Sequence, residues 1–214
     1  MRARRPAAGA CVALLVLTGW LNCARADDQV HEDIIANPAP GLFSVCHGHS
    51  CTLVSTVSLD DGQWGEIARL FAVPAGTPQV EREQIADAIA LFETIVGRLT
   101  GTSNDKPGNE GDRDWQGQMD CIDEATNSTT YLKLLANAGF LKWHSVEKRA
   151  TRAFIILFPH TTAVVRDLQS GDRWAVDSWF FANGERPVII SLAEWYRGWY
   201  PGDHTPPSAL SSRP

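Results

Sequence analysis

Long apolar runs are absent from this sequence after its first 26 residues, and no later segment is apolar over the length that crossing a membrane requires. The exception is the stretch 7–20, which follows three early arginines and precedes the small residues Ala24 and Ala26. This combination is the pattern of a secretory signal peptide. We expect cleavage after Ala26, with residues 1–26 removed, and a periplasmic or secreted product without stable membrane insertion. An uncleaved N-terminal anchor is the alternative.

Basic residues are scarce in the expected mature chain, residues 27–214. Four of the 19 basic residues lie in the leader, so 15 of them face 25 acidic residues and the net charge is about −10. Nucleic acid and anionic lipid would be repelled by a surface of this sign. We therefore expect no nucleic-acid partner and a neutral or cationic peptide or protein as the substrate, with a small molecule as the alternative.

Cofactor-binding motifs are missing as well. The sequence contains neither a glycine-rich phosphate loop nor a dinucleotide-binding fingerprint, and it shows no internal repeat. We therefore expect no organic cofactor.

Cysteine is the next scarce residue. Of the five cysteines, two leave with the leader, and Cys46, Cys51 and Cys121 remain. In an oxidising compartment Cys46 and Cys51, within "CHGHSC", are close enough to form a small disulfide loop. The alternative is a metal site that also uses His47 and His49, but four ligands so close in sequence would crowd one ion, and zinc spacings are usually much wider. The disulfide is favoured, which leaves Cys121 as a thiol whose role needs an explanation.

Hydrophobic periodicity and turn residues divide the mature chain into helices followed by strands. They predict a strand at 52–59, a helix from Asp60, a helix at 80–99, a loop at 101–118, a helix from Asp120 to Gly139, strands at 151–158, 160–167 and 173–179, and a short helix at 192–199. This order indicates an α+β fold with an antiparallel sheet. We expect one domain at 27–214, with an N-terminal helical part at about 27–110 and a disordered tail at about 202–214.

Cys121 begins the helix that follows the loop. A thiol in a first helical turn lies near the partial positive charge of free N–H groups, which lowers its pKa and favours the thiolate. Its acidic neighbours Asp120, Asp123 and Glu124 oppose this effect by like-charge repulsion. Activation of Cys121 therefore requires a cationic partner. A buried, unreactive cysteine is the alternative.

His160 and Asp177 belong to two strands joined by a tight turn. Since His160 begins one strand and Asp177 ends the next, the hairpin places both at one end of the sheet. There Cys121 could attack an acyl carbon, His160 could take the thiol proton and return it to the leaving amine, and Asp177 could orient the imidazole. The oxyanion would be met by the backbone N–H of Cys121 and one further donor. The candidates for this donor are Gln118, Gln116 and Trp115.

These segments together resemble a known family. "DCIDEA" before a helix that ends in "LLANAG", then an apolar strand, "HTTAVV" and "RWAVDSW", is similar to the core of the transglutaminase-like superfamily, and most similar to the bacterial transglutaminase-like cysteine peptidases. The resemblance covers roughly residues 110–180. It implies a papain-like fold with the nucleophile helix packed on an antiparallel sheet, a periplasmic setting and amide hydrolysis. It also places the triad on Cys121, His160 and Asp177.

Two positions depart from the family pattern. Glu124 stands where the family usually has an aromatic residue, which adds charge beside the thiol. Some relatives bind calcium through acids that bracket the nucleophile. Here Asp120 and Asp123 are present while Ile122 interrupts them, so a calcium site is a weak alternative.

Other functions and other residues stay open. The same triad would serve acyl transfer to an amine, and the acids around Cys121 are the best argument for a binding module without turnover. His144 is the competing base, although its position favours packing or substrate lining. Trp179 and Phe180 follow Asp177 closely and could wall the cleft, whereas the other tryptophans of this region are most simply core or rim residues.

Overall fold

The computed structural model describes residues 34–109, 116–154 and 158–202. The proposed signal peptide and almost all of the proposed C-terminal tail lie outside these residues. In chain order the elements are β1 (Phe43–His47), β2 (Leu53–Val57), α1 (Asp61–Arg69), α2 (Pro78–Thr100), α3 (Cys121–Asn137), β3 (His144–Phe154), β4 (Phe158–Asp167), β5 (Arg173–Asp177), β6 (Val188–Ser191) and α4 (Leu192–Tyr196).

The strands form two antiparallel sheets. β1 and β2 make a hairpin, and β3, β4, β5 and β6 form a four-stranded sheet in that order. The fold is therefore mixed α and β with antiparallel sheets, which agrees with the α+β class predicted from the sequence. None of the helices in the described residues is both long and apolar enough to cross a membrane.

Local capping explains where the helices begin. The Asp60 side chain accepts from the backbone N–H of Gln63, and the Gln63 side chain accepts from the N–H of Asp60, which is a capping box at the start of α1. Thr77 caps α2, whose first residue is Pro78. Gly101 ends α2 with a φ of 79°, a left-handed conformation that suits glycine.

The helix α3 lies at the centre of the packing. It contacts β1 of the hairpin and β3, β4 and β5 of the larger sheet. Its Tyr131 ring stacks on Phe92 of α2, with ring centroids 4.6 Å apart, and meets Phe43 of β1 edge-on. These rings are almost wholly buried, so the second half of α3 is held against α2 and β1 by aromatic packing.

Two strands were not predicted from the sequence, and one predicted strand needs correction. β1 was not predicted as a strand, although its first four residues are all buried. β6 was also missed, since it is short and partly exposed throughout. The run 151–158 was expected to be a single strand, but it contains the end of β3 and the first residue of β4.

Candidate active site

Cys121 is the first residue of α3. The Asp120 carboxylate caps this helix by accepting from the N–H groups of Ile122 and Asp123, each at 3.0 Å. Asp123 accepts in return from the N–H of Asp120 at 3.2 Å. This capping box fixes the start of the helix, and it leaves the half-buried Cys121 side chain in the first turn, where the helix dipole favours an anion.

His160 and Asp177 meet on neighbouring strands. β4 and β5 pair antiparallel, and His160 Nε2 lies 2.7 Å from Asp177 Oδ2. The exposed fractions of His160 and Asp177 are only 8% and 2%, so this contact is shielded from water. Since a carboxylate only accepts, Nε2 carries the proton in the neutral ring, and Nδ1 is then an acceptor with a lone pair.

The thiol of Cys121 lies against the start of β4. Its Sγ is 3.9 Å from the carbonyl oxygen of Pro159, the residue before His160. In the described residues no group forms a hydrogen bond with His160 Nδ1, although this atom is buried. The structure therefore brings Cys121, His160 and Asp177 to one end of the sheet, and Nδ1 is the ring nitrogen of His160 that Asp177 does not contact.

Aromatic rings surround the imidazole. The ring centroid of His160 lies 4.7 Å from that of Trp179, 5.1 Å from that of Phe180 and 5.6 Å from that of Trp195. Trp179 and Phe180, considered as cleft walls from the sequence, are thus in contact with the candidate base. Apolar surroundings strengthen the electrostatic interaction between His160 and Asp177, because water cannot screen it.

The disulfide between Cys46 and Cys51 is present, and its loop lies against the start of α3. The N–H of His49 donates to Asp123 Oδ2 at 2.8 Å, and the N–H of Cys51 donates to Asp123 Oδ1 at 2.7 Å. The N–H of Ser50 donates to Asp120 Oδ2 at 2.8 Å. The loop therefore solvates the two acids that flank Cys121, and it offsets part of their negative charge.

An unusual backbone makes this arrangement possible. Gly48, His49, Ser50 and Cys51 all have positive φ values, of 81°, 67°, 53° and 56°. Such conformations cost non-glycine residues free energy and persist where the surroundings enforce them. Here the disulfide and the bonds to Asp120 and Asp123 enforce them. We refer to residues 46–51 as the disulfide loop.

The third acidic neighbour, Glu124, points into the protein. Its Oε2 accepts from the Ser178 hydroxyl at 3.1 Å. Burial, together with the charges of Glu93 and Asp105, raises the pKa of Glu124 well above its ordinary value. Burial thus favours the neutral form of Glu124, which reduces the repulsion of the thiolate expected from the sequence.

Asp123 is also altered by its surroundings. Burial and the charge of Asp120 raise the pKa of Asp123 to about 7, against the lowering effect of its backbone donors. A substantial part of the negative charge expected beside Cys121 is thus absent at neutral pH.

The three candidate donors for the oxyanion differ in their surroundings. Gln118 is 1% exposed; its Oε1 accepts from Asn109 Nδ2 at 2.6 Å, and its Nε2 donates to the carbonyl oxygen of Asn104 at 2.8 Å. This amide is occupied within the loop, which disfavours Gln118 as an oxyanion donor. Gln116 is exposed, and Trp115 lies outside the described residues.

Neither metal alternative fits the contacts. Every carboxylate oxygen of Asp120 and Asp123 already accepts from a backbone N–H, which disfavours these oxygens as calcium ligands. The sulfurs of Cys46 and Cys51 lie within 4.8 Å of an Asp123 oxygen, but they are bonded to each other. Thiolate ligands for zinc are therefore not present in this state.

The competing histidine belongs to another cluster. His144 Nδ1 lies 2.9 Å from Glu81 Oε1, and its Nε2 lies 3.2 Å from Arg82 Nη1. His144 pairs with Asp167 at the opposite end of β4, seven residues from His160, which is roughly 20 Å along a strand. It cannot serve as the base for Cys121.

Two residues near the site were not singled out from the sequence. Trp195 Nε1 donates to Asp177 Oδ2 at 2.7 Å, and the guanidinium of Arg152 lies over the Trp195 ring, 4.5 Å from its centroid. The only sequence signal was the density of aromatic residues in 195–200. That signal is equally typical of a core.

Comparison with known proteins gives no relative: no family model matches the chain, and neither the curated proteins nor the solved structures contain a match.

Proposed function

We propose that this protein is an exported cysteine-dependent amide hydrolase that acts on peptides or proteins, with Cys121 as nucleophile, His160 as base and Asp177 as the orienting carboxylate. The observation that carries the proposal is the state of His160. Its Nε2 is held by Asp177 at 2.7 Å, while Nδ1 is buried without a hydrogen bond among the described groups, next to the segment that Cys121 Sγ contacts. This is the arrangement that a general base beside a thiol requires.

The finer fold assignment belongs to the same proposal. A nucleophile at the start of a helix that packs on an antiparallel sheet, with the base and the carboxylate on adjacent strands, supports a papain-like, transglutaminase-like core. The resemblance of "DCIDEA", "HTTAVV" and "RWAVDSW" to that family supports the same conclusion.

The proposed reaction has two steps. Cys121 Sγ attacks the carbonyl carbon while its proton passes to His160 Nδ1; the C–N bond then breaks, and the amine leaves with that proton. Water attacks the resulting thioester, His160 takes a proton from the water, and the acid product leaves as the Cys121 thiol is restored. Asp177 keeps the Nε2 proton throughout and stabilises the imidazolium.

The charges around the thiol support this chemistry. The first turn of α3 and an imidazolium both favour the thiolate. The disulfide loop donates to Asp120 and Asp123, and burial favours the neutral form of Glu124, so the opposition expected from the three acids is reduced.

Export is supported by two features. A disulfide persists in oxidising compartments, and the sequence of the first 26 residues has the pattern of a signal peptide. We propose a periplasmic or secreted location, where an acidic surface would admit neutral or cationic peptides.

The test is the pH dependence of Cys121 alkylation by iodoacetamide, together with product analysis. The wild-type thiol is expected to react with a midpoint well below the free-cysteine value of roughly 8.5, and His160→Ala is expected to abolish this shift. His47→Ala is the control: the His47 side chain contacts Ser55, whereas the bonds from the disulfide loop to Asp120 and Asp123 come from His49, Ser50 and Cys51. A peptide pool should then give new carboxyl termini. Cross-linked products instead would indicate acyl transfer, and an inert thiol in the wild type would reject catalysis.

A further inference from the structure

The Asp177 carboxylate has a second donor besides His160. The indole N–H of Trp195 donates to Asp177 Oδ2 at 2.7 Å, and this is the same oxygen that His160 Nε2 approaches at 2.7 Å. Trp195 is fully buried, so water does not compete for this bond. One carboxylate oxygen thus accepts from two rigid rings.

Arg152 holds Trp195 in place. Its guanidinium lies over the Trp195 ring and donates to the carbonyl oxygens of Trp195 and Trp199, the latter at 2.9 Å. Arg152 pairs with His160 across β3 and β4. The short helix α4 is therefore fastened to the sheet beside the candidate base, with its indole N–H directed at Asp177.

Two donors on one oxygen define the orientation of a carboxylate better than one. With a single donor, the Asp177 side chain can rotate about its terminal bond and still keep one hydrogen bond. The nearby buried guanidinium of Arg152 also attracts the Asp177 charge. Without the indole N–H, the carboxylate would be free to turn towards Arg152, and His160 Nε2 would lose its acceptor.

We propose that Trp195 is a positioning residue, which orients Asp177 for His160 through its indole N–H and is itself fixed by Arg152. This inference rests on the proposed function and deepens it. It makes the site a chain of four side chains from β3, β4, β5 and α4, to which Cys121 of α3 adds the thiol.

Trp174 offers a matched control. It lies on β5 three residues before Asp177, and the Arg82 guanidinium lies over its ring, 3.7 Å from the centroid. Its Nε1, unlike that of Trp195, has no hydrogen-bond partner in the part of the chain that the structure describes. A change to phenylalanine therefore removes the same atoms at both positions, but it removes a hydrogen bond only at Trp195.

The experiment measures the rate of Cys121 alkylation against pH in the full chain. Trp195→Phe is expected to slow alkylation at neutral pH by about 10- to 100-fold, the range for losing one hydrogen bond to a charged group, and to move the midpoint up towards that of free cysteine. Trp174→Phe is expected to leave both quantities unchanged.

The possible outcomes separate the two proposals. If the wild type and His160→Ala behave as expected but Trp195→Phe keeps the wild-type midpoint, Trp195 is structural and only the positioning role is rejected. An equal loss of rate in both tryptophan variants with unchanged midpoints rejects it as well. A wild-type thiol that titrates like free cysteine rejects the proposed function and the inference together.

A second variant keeps the inference testable if Trp195→Phe does not fold. Arg152→Lys keeps the positive charge but removes the fork that reaches two carbonyl groups. It should move the alkylation midpoint in the same direction as Trp195→Phe, by a smaller amount. An unchanged midpoint in a folded Arg152→Lys protein would overturn the proposal.

Discussion

Removal of the disulfide loop's covalent bond is expected to weaken both the fold and the reactivity of Cys121. In the double variant Cys46→Ser, Cys51→Ser the two sulfurs no longer hold the loop closed. The left-handed run from Gly48 to Cys51 then relaxes, because its strain is no longer enforced. The N–H donors that the loop offers to Asp120 and Asp123 are lost with it.

The magnitude follows from the length of the loop and from its hydrogen bonds. A disulfide that joins cysteines five residues apart contributes about 2 kcal/mol through the restricted entropy of the unfolded chain. The bonds from His49, Ser50 and Cys51 to carboxylates contribute about 1 kcal/mol each when they are intact, of which water recovers a part. We expect the free energy of unfolding to fall by about 2–4 kcal/mol.

Urea unfolding in a Cys121→Ser background gives this free energy without thiol exchange. Alkylation of Cys121 in the double serine variant, with Cys121 itself retained, gives the second quantity, which is the pH midpoint of the thiol. This midpoint should rise, because the negative charge of Asp120 and Asp123 is no longer offset by the N–H donors of the loop. Thr52→Ala is the control, since the Thr52 hydroxyl donates to the Gly48 carbonyl of the disulfide loop and makes none of the hydrogen bonds described for Asp120 and Asp123. It should cost some stability without moving the midpoint. A double serine variant as stable and as reactive as the wild type would refute the reasoning.

Two further predictions concern stability. Burial raises the pKa of Glu93 from 4.5 to about 8, so the stability linked to its protonated form is complete below pH 4.5 and is lost as the pH rises through 8. The side chain in Glu93→Gln cannot ionise, so this variant should be more stable than the wild type by about 4 kcal/mol at pH 8 and by little at pH 4.5. Urea unfolding at the two pH values measures this difference, and parallel pH profiles of the two proteins would contradict it. Gly117→Ala should lower the free energy of unfolding by roughly 2 kcal/mol more than Gly108→Ala, as thermal unfolding would show. Both glycines have positive φ, but only at Gly117 would a Cβ overlap the Gly101 carbonyl. Equal losses in the two variants would contradict this clash.

Local features of the sequence predicted the framework well. A helix was expected to begin at Asp120, and the structure shows Asp120 as the cap of α3, with reciprocal bonds between Asp120 and Asp123. The turn between β4 and β5 was marked by its glycine and polar residues, and this hairpin accounts for the meeting of His160 and Asp177. Each of these signals lies within a few residues of the element that it defines.

Contacts between residues far apart in the sequence could not be predicted. The hydrogen bond from the His49 N–H to Asp123 joins residues 74 positions apart. Nothing in "CHGHSC" therefore indicated that its N–H groups would donate to the acids beside Cys121. The sequence suggested that a charged Glu124 would oppose a thiolate at Cys121. The burial of Glu124 beside Glu93 and Asp105, which raises its pKa, depends on tertiary packing and could not be predicted. The role inferred for Trp195 likewise depends on a short helix at the end of the domain.

The most direct measurement of the central claim is a double-mutant cycle on Cys121 alkylation, with His160→Ala, Asp177→Asn and their combination. Residues that act as one unit have effects that do not add. The account predicts that each single variant moves the midpoint towards that of free cysteine, and that the double variant is no slower than His160→Ala alone. The account would be contradicted if the rate losses of the two single variants multiplied in the double variant. It would also be contradicted if His160→Ala left the Cys121 midpoint unchanged.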